Sequence, residues 1–225
     1  MKDGSNAMIM KKFLLLLALA APLCLRAQNS HGGIPDDVYY LMPSFGHGYI
    51  LFMGQQPAQG LLNICALDNS LRFMDGEGNE LQATNSENIV KVIIDTVSFM
   101  HYDEVYYRMF PVTPDMGVAR RRDVRIITKK KEVGYGGTSE TASVRQISSV
   151  YTDGVHIDLS PDKQYPYEVE EVLYFYKGSG VYDLTKRNLR KLFPAKKAEI
   201  DAWFKAGHPL PTTVEDAQAL LRKWM

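Results

Sequence analysis

Residues 88–112, NIVKVIIDTVSFMHYDEVYYRMFPV, form the longest run of β-branched and aromatic residues in the chain. Val90, Val92 and Ile94 alternate with Ile89, Lys91, Ile93 and Asp95, so one face is wholly apolar and the other is apolar apart from Lys91 and Asp95. That period-two pattern predicts a strand mostly buried on both sides. A second run carries Phe99 and Tyr102 to a turn at Asp103-Glu104, and residues 105–110 continue as a third strand. Segments on either side also read as strands, so this stretch predicts the centre of an antiparallel sheet.

Turn signals recur around it at the spacing of a meander. A short strand over 38–42 stops at Pro43. Another runs over 48–53, GQQPAQG turns the chain at 54–60, and 60–66 returns. Asp68-Asn69-Ser70 is the next turn, 71–74 runs out again, and Asp75-Gly76-Glu77-Gly78-Asn79 closes a hairpin. Residues 38–112 thus read as one continuous sheet. Beyond Thr113 the triplet Arg120-Arg121-Arg122 leads into a strand over 124–128, which ends in Lys129-Lys130-Lys131. Residues 134–139, GYGGTS, read as a long loop. Hairpins are expected over 144–151 with 155–159, and over 172–176 with 181–184. Helices enter only at the end. Thr185 caps one that Pro194 breaks, and 195–206 follows with Ile200, Trp203 and Phe204 on one face until Gly207 stops it. Thr212 with Glu215 forms a capping box for a last helix carrying Ala219, Leu220 and Trp224. These helices are too short to stand alone and should dock on the sheet.

The chain of 225 residues is 45% hydrophobic and 23% charged, ordinary values for a folded protein, and its thirteen tyrosines favour sheet. Formal charge is zero, so no global field draws it to nucleic acid or membrane. Met10-Lys11-Lys12, the apolar run 13–23 and Leu25-Arg26-Ala27-Gln28 have the form of a secretory signal peptide cleaved after Ala27. The run is about half the roughly 20 residues that span a bilayer, which argues against an anchor. Cys24 is placed as a lipoprotein cysteine would be, but Leu23 occupies the position that wants a small residue. Loss of 1–27 removes Lys2, Lys11, Lys12, Arg26 and Asp3, leaving 22 basic and 25 acidic side chains, net −3. Cys65 is then the sole thiol, so no internal disulfide braces the fold, and its apolar strand favours a buried, inert group. The expected organisation is a signal peptide (1–27), a mature N-terminus (28–37), an antiparallel β-rich region (38–184) and a helical segment (185–225) packed on the same domain. The fold class is mainly β, α+β, with the sheet left open between meander, barrel-like and sandwich forms.

No chemical motif stands out. The acidic turn Asp75, Glu77, Asn79, Glu80 alternates oxygen ligands, but an EF-hand needs glycine at position six and glutamate at twelve, where Glu80 and Ser86 stand. The turn alone explains those residues. His31, His47, His101, His156 and His208 are scattered, Ser139 lacks the setting of a nucleophile elbow, and neither a P-loop nor a dinucleotide fingerprint occurs. The basic triplets and Lys186, Arg187, Arg190, Lys191, Lys196 and Lys197 read first as solvated charge. If they converged they would suit anionic headgroups or a polyanionic glycan. In adjacent tyrosine pairs, such as 39–40 and 106–107, one ring should face the core and the other should face away, packing under the helices or lining a cleft for a sugar or lipid. The candidate binding residues are Tyr107, Tyr135, Tyr174, Tyr176, Arg120, Arg121 and Arg122, with no metal or cofactor called for.

The Ala27-Gln28 exit, Gly60-Leu61-Leu62-Asn63, Leu71-Arg72-Phe73-Met74-Asp75, and Leu192-Phe193-Pro194 with Ile200 together give a resemblance over most of the mature chain. The chain resembles uncharacterised exported proteins of about this size from Gram-negative gut and oral bacteria. The resemblance implies a periplasmic or cell-surface address and carries over no functional residue. The leading expectation is a non-enzymatic envelope module that binds a protein partner or an apolar or glycan ligand, through the sheet or the 132–143 loop. The alternatives are a hydrolase whose site assembles only in three dimensions and a structural component of an envelope assembly.

Overall fold

The computed structural model describes residues 34–84, 86–126 and 166–225. The signal peptide with Cys24, residues 28–33, Lys129–Lys131, the 134–139 loop with Tyr135, the 144–159 hairpin and Tyr165 lie outside the described residues.

Ten strands form one antiparallel sheet: β1 (Gly46–Phe52), β2 (Ala58–Ile64), β3 (Leu71–Met74), β4 (Glu80–Gln82), β5 (Ile89–Ile94), β6 (Val97–Tyr102), β7 (Val105–Pro111), β8 (Met116–Ile126), β9 (Tyr167–Lys177) and β10 (Gly180–Asp183). Their order is β10-β9-β8-β7-β6-β5-β1-β2-β3-β4. The chain thus builds outward from β1 to β4, then crosses back so that β5 pairs with the free side of β1 and the meander grows the other way. The three strands of 88–112 sit in the middle of the sheet. Its outermost strands, β4 and β10, are not hydrogen-bonded to each other, so the sheet is open.

The register separates two faces. Gly48, Ile50, Leu62, Val92, Ile94, Phe99, Tyr106, Arg108, Phe110, Val118, Arg120, Arg122 and Phe175 share one, which we call the inner face. Ile50, Leu62, Ile64, Leu71, Val92, Ile94, Phe99 and Tyr106 make one core cluster there. A second forms where three helices, α2 (Lys186–Leu192), α3 (Lys197–Lys205) and α4 (Val214–Trp224), cover Val118 and Phe175 with Leu189, Leu192, Ile200, Leu220, Leu221 and Trp224. A third cluster joins Cys65, Ala66 and Leu67, after β2, to Val124 and Ile126 at the end of β8. The sheet is therefore strongly coiled, bringing the β2–β3 connection onto β8, a strand five places from β2 in the sheet order. Cys65 is wholly buried, and burial pushes its thiol up to about 12, with Asp68 adding to the shift.

Several expectations change. Residues 38–42 are not a strand. Pro35 precedes a helical turn, α1 (Asp36–Tyr39), whose first turn carries Asp36 and Asp37, and only Tyr40 keeps a β-bridge, to Cys65. Proline at the start and carboxylates beside the first free amides favour a helical turn over the β preference of Val38, Tyr39 and Tyr40. Val90 does not join the buried face. The pairing of β1 with β5 slips at Leu51/Phe52, which sets Ile89 opposite Phe52 and leaves Val90 41% exposed. The arginine triplet lies inside β8 rather than before a strand, and the sheet extends past residue 112 through β10. The cap of α4 is Thr213, accepting from the Asp216 amide at 3.2 Å and donating to its carboxylate at 2.7 Å, one residue on from the expected Thr212–Glu215 box. That shift buries Ala217, Leu220, Leu221 and Trp224 and turns Ala219 outward. The Asp75 turn is closed by its own carboxylate, which accepts from the Glu77 and Asn79 amides at 2.9 and 2.8 Å.

His101 packs on Tyr106 with ring centroids 4.5 Å apart, and its Nδ1 meets the Ile89 carbonyl at 3.2 Å. Burial holds its proton affinity below the ordinary 6.5, outweighing the Ile89 carbonyl and Glu104, which act the other way. The unfolded chain takes up this proton near the ordinary value while the folded protein resists it. Stability from this group is therefore complete above that pH and is lost as pH falls through the lower folded value. The expected result is a melting temperature that declines from pH 7.5 to 5, with a smaller decline in His101→Gln. Calorimetry across the pH series checks it, and equal slopes would count against the assignment.

Candidate functional site

Of the candidate binding residues, the outer face brings four together. Tyr107 on β7 meets Tyr174 on β9 edge to face, with centroids 5.3 Å apart and planes at 84°. The Arg121 guanidinium lies 5.6 Å from the Tyr174 ring centre and is held by Asp123, with Nη2 and Nε at 2.6 and 2.9 Å from one carboxylate oxygen. Tyr107, Tyr176, Met100 and Ala119 form a small cluster beneath. Tyr176 lies across Gly117, where a Cβ would collide with the Phe110 carbonyl oxygen and stand 2.7 Å from Tyr176 Cε1. Glycine is required there because the ring occupies the side-chain space. Tyr176 is 1% exposed and Tyr107 is also buried, which leaves Tyr174 and Arg121 as the members that reach solvent. The helices cover the Val118 and Phe175 part of the inner face, so the outward rings pack on one another rather than under the helices. Tyr106 and Tyr107, on opposite faces, are both buried, as are Tyr39 and Tyr40.

Arg121 and Asp123 also line an open cleft of about 430 Å³. Its other walls are the β2–β3 turn (Asp68, Asn69, Ser70), Gln82, Ala83 and Ser86, and the β6–β7 turn (Asp103, Glu104, Val105). Asn69, Asp103 and Glu104 all take positive φ, between 51° and 61°, which makes both turns tight. Four carboxylates and one guanidinium thus face one concave space, with the partly buried Tyr174 against the guanidinium. A second cleft, of about 320 Å³, opens on the inner side of the same sheet edge between Ile50, Phe52, Phe73 and Ile89.

Arg120 and Arg122 lie on the opposite face from Arg121, because neighbours on a strand alternate. They meet Arg108, which sequence reasoning missed, and share Glu171. The signal was legible in parity. Arg108 falls in phase with the inward Tyr106 and Phe110, and Arg120 and Arg122 with Val118 and Val124, so three charges occupy inward positions of two paired strands. The cleft carboxylates left no such trace, since Asp68, Asp103 and Glu104 come from two turns and Asp123 from β8, far apart in the chain. In the helical tail, Lys186 and Arg190 face Asp201 at 2.8 and 3.8 Å, and Lys196 faces Glu199 at 2.9 Å, the arrangement of a solvated helix surface.

Among the described residues, no group of three or more His, Cys, Asp or Glu is placed to hold a metal ion, and no helix is long and apolar enough to cross a membrane. His208 stacks on Trp203 at 5.1 Å. The chain matches no family model, no curated protein and no solved structure.

Proposed function

We propose that the protein is an exported, non-enzymatic binding module of the cell envelope, and that its ligand is a glycan held in the cleft between the β2–β3 and β6–β7 turns. The observation that carries this reading is the composition of the cleft: Asp68, Asp103, Glu104 and Asp123 surround Arg121, whose guanidinium rests on Tyr174. Carboxylates accept hydrogen bonds from sugar hydroxyls, a guanidinium donates to ring and hydroxyl oxygens, and an aromatic ring packs against the apolar face of a pyranose. The volume falls within the range of small-ligand sites. Export rests on the basic-apolar-small order of residues 10–28.

A second reading, an apolar ligand, is favoured by one observation, the Ile50–Phe52–Phe73–Ile89 wall of the neighbouring cleft. Native mass spectrometry of the mature protein, purified gently from its own envelope, separates the two. A carbohydrate mass retained by the native protein and lost from Arg121→Ala is the expected result. An acyl-chain mass that survives Arg121→Ala would move the site to the apolar cleft. A clean apo mass alongside a co-purifying polypeptide would replace the glycan with a protein partner.

A further inference from the structure

We propose that Arg108, Arg120 and Arg122 form a second site, on the inner face of the sheet, that takes a tetrahedral dianion: a phosphate or sulfate group. The β7–β8 register sets Arg108 directly opposite Arg120, and Arg122 follows two residues on, opposite Glu171 of β9. Like charges directly opposite each other across a strand pair destabilise it. Here they stand between two apolar clusters and are only partly exposed, Arg120 and Arg122 at 26 and 27%.

One carboxylate serves the trio. Glu171 receives Arg120 Nη1 at 3.0 Å through one oxygen, and Arg122 Nη2 and Nε at 2.8 and 3.0 Å through the other. Arg122 Nη1 donates to the Asp37 carbonyl at 2.9 Å. Arg108 has no carboxylate within ion-pair reach among the described residues. Instead its guanidinium and that of Arg120 both lie against the Phe110 ring, 5.3 and 5.4 Å from its centre. A salt-bridge network built for stability alone would close near neutrality, but three guanidiniums against one carboxylate leave an excess of two positive charges. Arg108 holds its proton less tightly than an ordinary arginine, through burial first and then through Arg120 and Arg122, with Glu171 opposing.

The group that fits is set by charge, shape and room. Guanidinium forks pair with planar or tetrahedral oxyanions through two parallel N–H···O bonds, and a dianion matches the excess charge. Leu41 and Phe99 complete a recess of about 20 Å³, deep enough for a water-sized group. The recess therefore takes oxygens of the anion while the rest stays in solvent, and access remains because the side chains of Arg120, Arg122 and Glu171 are 26, 27 and 35% exposed.

Isothermal titration of the full chain with inorganic phosphate, at constant ionic strength in chloride, tests the site. One saturable site is expected, weakened about tenfold or more in Arg108→Gln, the scale of losing one charge-assisted contact. Glu171→Gln is expected to bind phosphate more tightly, because it removes the competing carboxylate; a purely structural role for the cluster predicts no gain. Arg108→Lys, which keeps the charge and loses the fork, serves if the glutamine variant does not fold, and is expected to bind more weakly than the parent. No saturable heat, an unchanged affinity in the Arg108 variant, or no gain in Glu171→Gln would each overturn the proposal, and acetate binding as tightly as phosphate would overturn the assignment to a dianion. Titration with glycerol phosphate distinguishes the source: equal or tighter binding than phosphate assigns the group to an ester, and weaker binding assigns it to the free ion.

Discussion

The Phe175→Ala variant is expected to lose about 3–5 kcal/mol of unfolding free energy, the usual range for removing a buried aromatic ring. Phe175 sits in β9 with no solvent exposure, opposite Val118 on one side and Tyr182 on the other. Above it lies the apolar stripe of the helices, Leu189, Leu192, Ile200 and Leu221. Those helices have 7, 9 and 11 residues. Isolated helices of that length are marginal in water, so their stability depends on docking. A cavity at Phe175 removes the surface they dock on, and neighbours anchored in a sheet collapse poorly into the space. Urea unfolding followed by tryptophan fluorescence reports on the same region, because Trp203 and Trp224 pack in this cluster. The contrast is Val169→Ala, on the same strand but 44% exposed, with an expected change within about 0.5 kcal/mol. Similar losses in the two variants would mean that the helices contribute little to the folded state.

The strand rhythm of the sheet was legible because each signal is local. Residues 88–112 fold as three strands in the order their apolar runs predict, with the turn at Asp103-Glu104, and the 177–180 turn joins β9 to β10 with Gly178 at φ 57°. What local pattern does not carry is the pairing of distant strands. Nothing in GHGYILF says that β1 lies between β2 and β5, and that insertion is what makes one sheet of two meanders. The same holds for Arg120-Arg121-Arg122, where three adjacent charges look like loop. They belong to a strand because Glu171, 49 residues from Arg122, neutralises part of the inner pair and Asp123 the outer member. At the first turn, proline and two aspartates prevailed over aromatic β preference. The cleft was hidden for the same reason as the sheet order: its walls are two turns and a strand brought together by the coil of the sheet, and the register that coils it is written in contacts between distant residues.

Asp68→Ala is expected to cost about 3–5 kcal/mol, because it leaves a buried guanidinium without its closest counter-charge. Arg72 on β3 is 6% exposed, and its Nη2 meets Asp68 Oδ2 at 2.7 Å while Nε donates to Ser70 Oγ at 2.7 Å. Glu80 stands 3.7 Å from Nη1 but also accepts the Tyr40 hydroxyl at 2.6 Å, so it is already engaged and poorly placed to substitute. Asp68 further holds the turn by accepting from the Ser70 amide at 3.0 Å. Arg72→Met removes the charge together with the need to neutralise it, and is expected to cost less than Asp68→Ala. The double variant is then expected to be more stable than the sum of the two single losses predicts, and a double-mutant cycle in urea measures that coupling. Additive losses would mean that water reaches Arg72 and solvates it when Asp68 is gone. Asp68 and Ser70 also wall the proposed glycan cleft. The Arg72 ion pair thus sets the shape of one cleft wall, and ligand retention should fall in Asp68→Ala and return in part in the double variant as the turn regains its packing.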